Sequence, residues 1–192
     1  MSGKGNNLKY DFLIIGAGLS GCVMAERLAD MGCTVLIVDR RNHTGGNCHD
    51  YYNEDGILVH KYGGHHFVTD SKEAFDYLSK FTPWHYMETK AKAHIDGRLL
   101  TVPINADTIK EYGGDFEELK DKVYRGYTKK QWGMYPEDLD PSVCARVPIR
   151  DNRDDRYFSS KYQVVPKYGY HRMFDKMLGS KNITITLQAD GL

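Results

Sequence analysis

The chain has 192 residues, with 26 lysines and arginines and 26 aspartates and glutamates, so its formal net charge is zero. A balanced charge provides no general attraction to nucleic acid or to an anionic membrane, and neither is expected as a partner. The first residues, MSGKGNNLK, are polar, and the most apolar run, FLIIGAGL, is short and contains glycines. We therefore expect a cytoplasmic protein with no membrane span.

The first elements predict a β-α-β unit with parallel strands. Tyr10–Ile15 is an apolar run typical of a buried parallel strand, and Cys22–Met31 carries apolar residues at helical spacing, including Val23, Leu28 and Met31. Gly32 is expected to end this helix in a left-handed conformation, and Thr34–Val38 to form the second strand.

The later elements are less regular, and then the pattern returns to strand, helix and strand. We expect, in order, a loop at 42–64 with a short strand at 57–60, a capping box at Asp70–Glu73 that opens a helix ending before Pro83, a hairpin that turns at Asp96-Gly97, a helix at 115–124, a helix start at Asp140-Pro141, a strand at 162–165, a helix at 170–178 and a strand at 183–187.

A glycine loop between the first strand and the first helix predicts a dinucleotide site. Gly16, Gly18 and Gly21 have the G-x-G-x-x-G spacing that permits a tight turn, backbone approach to a pyrophosphate and close helix packing. Asp39 ends the second strand 18 residues after Gly21, close to the ~20 expected for an acid that binds ribose hydroxyls. An acid at this position disfavours NADP, because it would repel the 2′-phosphate. The alternative to a dinucleotide site is a glycine turn with a purely structural role.

The loop does not itself distinguish NAD from FAD, but the segment RNHTGGN at 41–47 is informative. Its glycine pair lets the chain run close to the cofactor again. The segment resembles the second fingerprint of FAD proteins in the glutathione-reductase-like superfamily, and the alternative is an ordinary glycine turn.

Histidines and cysteines do not indicate a metal site. HKYGGHHF at 60–67 contains three histidines without an acid or cysteine at ligand spacing. These residues are either hydrogen-bonded loop histidines or part of a loop that passes over a flat ring. The four cysteines include no C-x-x-C pair, so zinc and a disulfide framework are both poorly supported.

The segment GYTKKQWG at 126–133 combines aromatic and cationic residues. Such residues suit a ligand that is flat at one end and anionic at the other. The same composition is also typical of packing residues near the end of a helix, and both interpretations stay open from composition alone.

Four motifs in order resemble the UDP-galactopyranose mutase family: RNHTGGN, HKYGGHHF, GYTKKQWG and ARVPIRDNRDDRYFSSKYQ. The resemblance extends from Tyr10 to the end of the chain. It implies an FAD-dependent isomerase that interconverts UDP-galactopyranose and UDP-galactofuranose without net redox change, through an adduct between the sugar and N5 of reduced flavin.

The resemblance also implies roles for individual residues, and it implies no metal. The expected FAD contacts are Gly16, Gly18, Gly21, Asp39, Arg40, Gly46, Asn47, Gly64 and His65. The expected substrate contacts are Tyr127, Thr128, Trp132, Arg146 and Tyr157. His65 and Arg146 are the residues expected to be catalytic.

The implied fold class is α/β, with a Rossmann-like FAD-binding unit and an inserted, shortened helical substrate segment. We expect an FAD-binding portion at 1–65, the inserted segment at 66–160 and a return to the sheet at 161–192. A flavin amine oxidase-like oxidoreductase and a non-catalytic nucleotide-binding remnant are the alternatives, and a homo-oligomer is compatible with the sequence.

Several departures from the family pattern are visible. Asp39 stands where a glutamate is usual, Lys129 replaces an acidic residue, and Val68 lies where a histidine is frequent. The stretch 105–115 is shorter than in the family, and the family's C-terminal half is missing. We therefore expect a fragment that is inactive alone.

Overall fold

The computed structural model describes residues 9–144 and 148–190, and the chain divides into two compact units. The first unit contains the residues up to Tyr86 together with those from Val164 onwards, and the second contains Met87–Gln163. The second unit is thus inserted into the chain of the first.

The elements follow in chain order. The strands are β1 (Phe12–Ile15), β2 (Val35–Asp39), β3 (Asp50–Tyr52), β4 (Leu58–His60), β5 (Phe67–Thr69), β6 (Trp84–Tyr86), β7 (Ala91–Ile95), β8 (Arg98–Val102), β9 (Tyr162–Pro166) and β10 (Ile183–Leu187). The helices are α1 (Leu19–Asp30), α2 (Lys72–Ser79), α3 (Ala106–Tyr112), α4 (Phe116–Lys120), α5 (Gly126–Trp132), α6 (Pro141–Cys144) and α7 (Tyr170–Met177).

A parallel sheet forms the base of the first unit. β2 lies between β1 and β10, and both Phe12 and Ile183 are aligned with Val35 in the ladder. The strand from the end of the chain therefore joins the β-α-β unit from its beginning. The α/β fold with a Rossmann-like unit is confirmed.

The start and the buried face of α1 differ from the expectation. The helix begins at Leu19 rather than Cys22, so the last glycine of the motif, Gly21, already lies in its first turn. Its fully buried residues are Cys22 and Ala25, whereas Met31 lies beyond the helix and is 78% exposed. Small side chains let the helix lie close to the sheet. Gly32 follows with a φ of +89°, as predicted.

The helix α2 begins one residue later than the predicted capping box requires. Its N-cap is Ser71, whose hydroxyl accepts a hydrogen bond from the Ala74 N–H at 3.1 Å. The capping box at Asp70–Glu73 is therefore wrong. A serine at the N-cap satisfies one of the free N–H groups of the first turn, as Asp70 would have done in the predicted capping box.

The second unit combines a hairpin with helices. β7 and β8 pair around Asp96-Gly97, as predicted. Leu100, Ile104 and Leu119 are fully buried in its core. The helix predicted at 115–124 consists of α4 and a π-helical turn, Asp121–Arg125, and it continues directly into α5. Among the described residues, no helix is both long and apolar enough to cross a membrane.

Candidate functional site

The three glycines of the first motif are needed for different reasons: Gly16 and Gly18 lie in the loop between β1 and α1, and Gly21 lies in the first turn of α1. Gly16 has a φ of +104°, which side chains rarely adopt. A Cβ on Gly21 would lie 2.0 Å from the carbonyl oxygen of Gly16, so only glycine fits there. A Cβ on Gly18 would meet no described atom within 4 Å. The backbone at Gly18, at the N-terminus of α1, is therefore open to an anionic ligand such as a pyrophosphate.

Asp39 lies at the end of β2 and also shapes this loop. One carboxylate oxygen accepts a hydrogen bond from the Ala17 N–H at 2.7 Å, and the other accepts one from the Arg41 N–H at 2.8 Å. Each oxygen has a second lone pair that a ribose hydroxyl can use. The acid therefore supports the loop and is also suited to its predicted ligand.

The glycine pair of the second motif packs directly on the first glycine loop. The Gly45 N–H donates to the Ala17 carbonyl oxygen at 2.8 Å. A Cβ on Gly46, whose φ is +57°, would lie 3.0 Å from the Gly18 Cα. Both glycine motifs thus belong to one structure, and the pair does more than form a turn.

A cavity of about 380 Å³ lies where these segments meet. It brings together five of the predicted FAD contacts, Gly16, Asp39, Arg40, Gly46 and Asn47. Arg41, which sequence reasoning did not select, also lines this cavity.

Of the two adjacent arginines, Arg41 is better placed than Arg40 to bind a phosphate group of the cofactor. Its Nη2 donates to Asn47 Oδ1 at 2.9 Å, and its guanidinium lies 4.7 Å from the centre of the Tyr62 ring. Its Nη1 is buried and has no hydrogen-bond partner among the described residues. A buried donor without a partner is costly, and a phosphate oxygen beside Nη1 would satisfy it. Arg40 is exposed.

Histidines connect this region to the segment HKYGGHHF. His43 Nδ1 lies 3.0 Å from the Thr44 carbonyl oxygen, so Nδ1 is the donor and Nε2 accepts from the Tyr62 hydroxyl at 2.8 Å. The His43 ring is stacked on His49 at 3.8 Å. Partial burial, followed by the nearby His43, lowers the pKa of His49.

His65 is held by its own loop. Its N–H donates to His60 Nδ1 at 3.2 Å, and its Nδ1 lies 2.8 Å from the Gly63 carbonyl oxygen. The carbonyl can only accept, so Nε2 remains an acceptor in the neutral ring. Neither His65 nor the exposed Gly64 lines the 380 Å³ cavity. Among the described residues, no group of three or more histidines, cysteines, aspartates or glutamates is arranged to hold a metal ion.

The second unit contains a cavity of about 420 Å³ between the β7–β8 hairpin and the helical segment. Tyr127 and Tyr157 both line it, together with Lys92, Lys122 and Lys130. Aromatic faces and ammonium groups suit the base and the phosphates of a nucleotide.

Three residues of GYTKKQWG line this cavity, Gly126, Tyr127 and Lys130, and a π-helical turn precedes them. Val123 is 6% exposed, and the next buried position along the helix is Thr128, at 8%. A step of five between buried positions is the spacing of a π-helix rather than an α-helix. Tyr127 consequently stays half exposed, at 50%.

Trp132 ends α5 and does not line this cavity. It is 46% exposed, and the helix closes at Gly133 with a φ of +70°. Lys129 Nζ donates to the Gly133 carbonyl oxygen at 2.8 Å, a favourable interaction at a helix C-terminus. The lysine that departs from the family pattern therefore has a local structural role. The predicted contact Arg146 lies outside the described residues.

Comparisons with known proteins define the class first. A model described as an NAD(P)-binding Rossmann-like domain matches residues 14–81. The crystal structure of a reduced UDP-galactopyranose mutase superimposes with a TM-score of 0.71 at 18% identity, covering 93% of this chain and 49% of that chain. The first unit is therefore a Rossmann-like dinucleotide-binding unit, and its residues fit the FAD that the resemblance implies.

Sequence matches show which family the chain resembles. The UDP-galactopyranose mutase model matches residues 122–191, which include GYTKKQWG. A probable UDP-galactopyranose mutase of Klebsiella pneumoniae is 36% identical over 95% of this chain, and a dTDP-fucopyranose mutase of Escherichia coli is 36% identical over 91%. The chain spans 56% and 55% of their lengths. Over that shared portion, the chain is similar to members of the UDP-galactopyranose mutase family.

Two glycine substitutions should separate folding from ligand binding. Gly18→Ala should leave the free energy of unfolding nearly unchanged, because its Cβ meets open space, but should weaken FAD binding at least about tenfold by blocking the pyrophosphate. Gly21→Ala should destabilise the chain by about 1–3 kcal/mol or more, because its Cβ overlaps backbone. Urea unfolding and flavin fluorescence titration measure the two effects, and equal behaviour of both variants would contradict this assignment.

Stability should depend on the neutral form of His49. Because its pKa is lowered from 6.5 in the folded state, the unfolded chain binds more protons below that value. The free energy of unfolding should therefore fall as pH drops from about 7.5 to about 5.5. His49→Gln should reduce this dependence, and His85→Gln, at an exposed position, serves as control. An unchanged pH profile in His49→Gln would count against the lowered pKa of the partly buried His49 as its cause.

Proposed function

We propose that this chain supplies the FAD site and part of the nucleotide-sugar site of a pyranose mutase, which interconverts UDP-galactopyranose and UDP-galactofuranose. The FAD site, called the cradle below, consists of the cavity of about 380 Å³ and the adjacent backbone at Gly18. The carrying observation is the cavity lined by Tyr127 and Tyr157 in the unit that interrupts a dinucleotide-binding unit. A flavin amine oxidase-like activity is less well supported, because it does not account for this cavity or for the match at residues 122–191.

In the cradle, each group has a defined task. The open backbone at Gly18 and the unpaired Nη1 of Arg41 bind the diphosphate of FAD, and the Asp39 carboxylate accepts from a ribose hydroxyl. When bound, reduced FAD supplies an electron-rich nitrogen that allows the sugar ring to rearrange without net redox change. Tight cofactor placement is what the protein contributes here.

In the second unit, Tyr127 offers its face to the base, and Lys130 is placed on the same cavity to meet the phosphates. Tyr157 completes the wall, with its N–H donating to the Thr89 carbonyl oxygen at 2.6 Å. Roles for Thr128, Trp132, His65 and Arg146 remain part of the proposal, as do a cytoplasmic location and a homo-oligomeric assembly.

A dTDP-fucopyranose mutase is the second candidate. The Escherichia coli relative of that name is as similar to this chain, at 36%, as the Klebsiella pneumoniae relative. The two candidates share the sugar-ring chemistry and differ in the base and in the sugar. Parallel titrations with UDP and dTDP, and assays with the two nucleotide sugars under reducing conditions, distinguish them.

FAD binding should depend on Arg41 more than on Arg40. Arg41→Met should weaken FAD binding about tenfold or more, since a charge-assisted hydrogen bond contributes about 1.5–3 kcal/mol. Arg40→Met is the matched control, because that residue is exposed, and it should change the dissociation constant by less than about threefold. Flavin fluorescence titration reports both values. A larger loss in Arg40→Met would reverse the assignment.

Nucleotide binding should be detectable through one tryptophan. The chain has two, and Trp84 donates to Ser79 Oγ at 2.7 Å and is stacked on Phe67, whereas Trp132 is 46% exposed. Although Trp132 does not line the cavity, it ends the short helix that carries Tyr127, so UDP bound against Tyr127 should change its surroundings and quench its fluorescence, and Trp132→Phe should remove most of the response. Tyr127→Ala should weaken UDP binding by about 1–3 kcal/mol through lost stacking, measured by calorimetry.

The control for that substitution is Tyr86→Ala, at a tyrosine that is 63% exposed and does not line the cavity. It should leave UDP affinity unchanged. Equal losses in both tyrosine variants, or no binding of either nucleotide by the wild-type chain, would sink the proposed substrate class.

A further inference from the structure

Asp50 is a buried carboxylate at the end of the FAD-binding loop. It follows the second glycine motif by a few residues, opens β3 and is only 1% exposed. Aspartate is almost never buried to this extent unless its charge is compensated. The groups that compensate this charge show what the residue does.

All described hydrogen-bond partners of its carboxylate belong to the start of α7, about 120 positions further along the chain. One oxygen accepts from the Tyr170 N–H at 2.6 Å, and the other accepts from the His171 N–H at 2.8 Å. His171 Nδ1 lies 2.7 Å from that second oxygen. The preceding Gly169 provides no side-chain cap, so Asp50 satisfies the free N–H groups of this helix from a distance.

The helix α7 in turn packs against the glycine pair. The side chain of Phe174 is fully buried, and a Cβ on Gly45 would lie 2.8 Å from its ring. On its other side, Gly45 donates to the Ala17 carbonyl oxygen, and Gly46 touches Gly18. The glycine pair is therefore clamped between α7 and the first glycine loop.

We propose that Asp50 is a positioning residue for the FAD site. Asp50 holds the N-terminus of α7 in place, and α7 in turn holds Phe174. The Phe174 ring then determines how closely the Gly45–Gly46 backbone approaches Gly18. Asp50 touches neither cofactor nor substrate in this role. The inference rests on the proposed FAD function of the cradle, and it adds a connection between the return segment of the chain and that cradle.

The test uses Asp50→Asn, which keeps the shape but directs an amide donor at a backbone donor. FAD binding by the full chain, measured well below its unfolding temperature, should weaken about tenfold, as for one lost charge-assisted hydrogen bond. The visible circular dichroism of the bound flavin should change. His171→Gln keeps the backbone partners, so it should shift the dissociation constant by less than about threefold.

A destabilising control outside the contacts of Asp50 separates positioning from general destabilisation. Val164 is fully buried in β9 and has no part in this chain of contacts, so Val164→Ala should lower stability while leaving FAD affinity unchanged. If Val164→Ala weakens FAD binding as much as Asp50→Asn does, the positioning role is wrong. Unchanged affinity in Asp50→Asn also overturns it.

Amide hydrogen exchange without FAD gives an independent readout. Asp50→Asn should raise exchange at the Gly45 amide, which donates to Ala17, more than at Cys22 in α1. Failure of the wild-type chain to bind FAD would remove the proposed function but would leave this result intact. Equal exchange at Gly45 in both proteins would refute the inference even if FAD binds.

Discussion

The first unit depends on backbone segments that approach one another more closely than any side chain permits. Gly21 lies against the carbonyl of Gly16, and Gly46 lies against Gly18. These contacts bring the start of α1, the end of β1 and the second motif into one small volume. Because no side chain fills the space beside Gly18, the region has the shape of a ligand site before any polar group is considered.

Charged side chains add hydrogen-bonding groups to the site that the backbone forms. The Asp39 carboxylate accepts from the Ala17 and Arg41 amides, and the Arg41 guanidinium contacts Asn47 and Tyr62 while its Nη1 has no partner among the described residues. The protein itself uses only part of the hydrogen-bonding capacity of the Asp39 carboxylate and of the Arg41 guanidinium. The unused acceptor and donor groups are better explained by a bound dinucleotide than by stability alone, because an unpaired buried donor is destabilising.

Much of this unit could be predicted from the sequence, and the reasons are local. The glycine spacing, the parallel strands and the acid that ends β2 are encoded by neighbouring residues, so periodicity and motif reading identified them. Arg41 was missed because two adjacent arginines look equivalent until burial distinguishes them. The Asp50 contact with α7 was missed because its partners are about 120 residues apart, and no local pattern records such a pairing.

The segment GYTKKQWG shows why composition left two interpretations open. It is helical, as expected for packing residues near the end of a helix, and it also lines a cavity, as expected for a ligand site. The two are compatible because Gly126, Tyr127 and Lys130, which line the cavity, lie on one face of the helical segment. Continued α-helical spacing from Val123 would place Tyr127 at the next inward position, whereas the extra residue of the π turn gives that position to Thr128. The aromatic face is thus left accessible by a one-residue change of helical phase, which hydrophobic periodicity does not reveal.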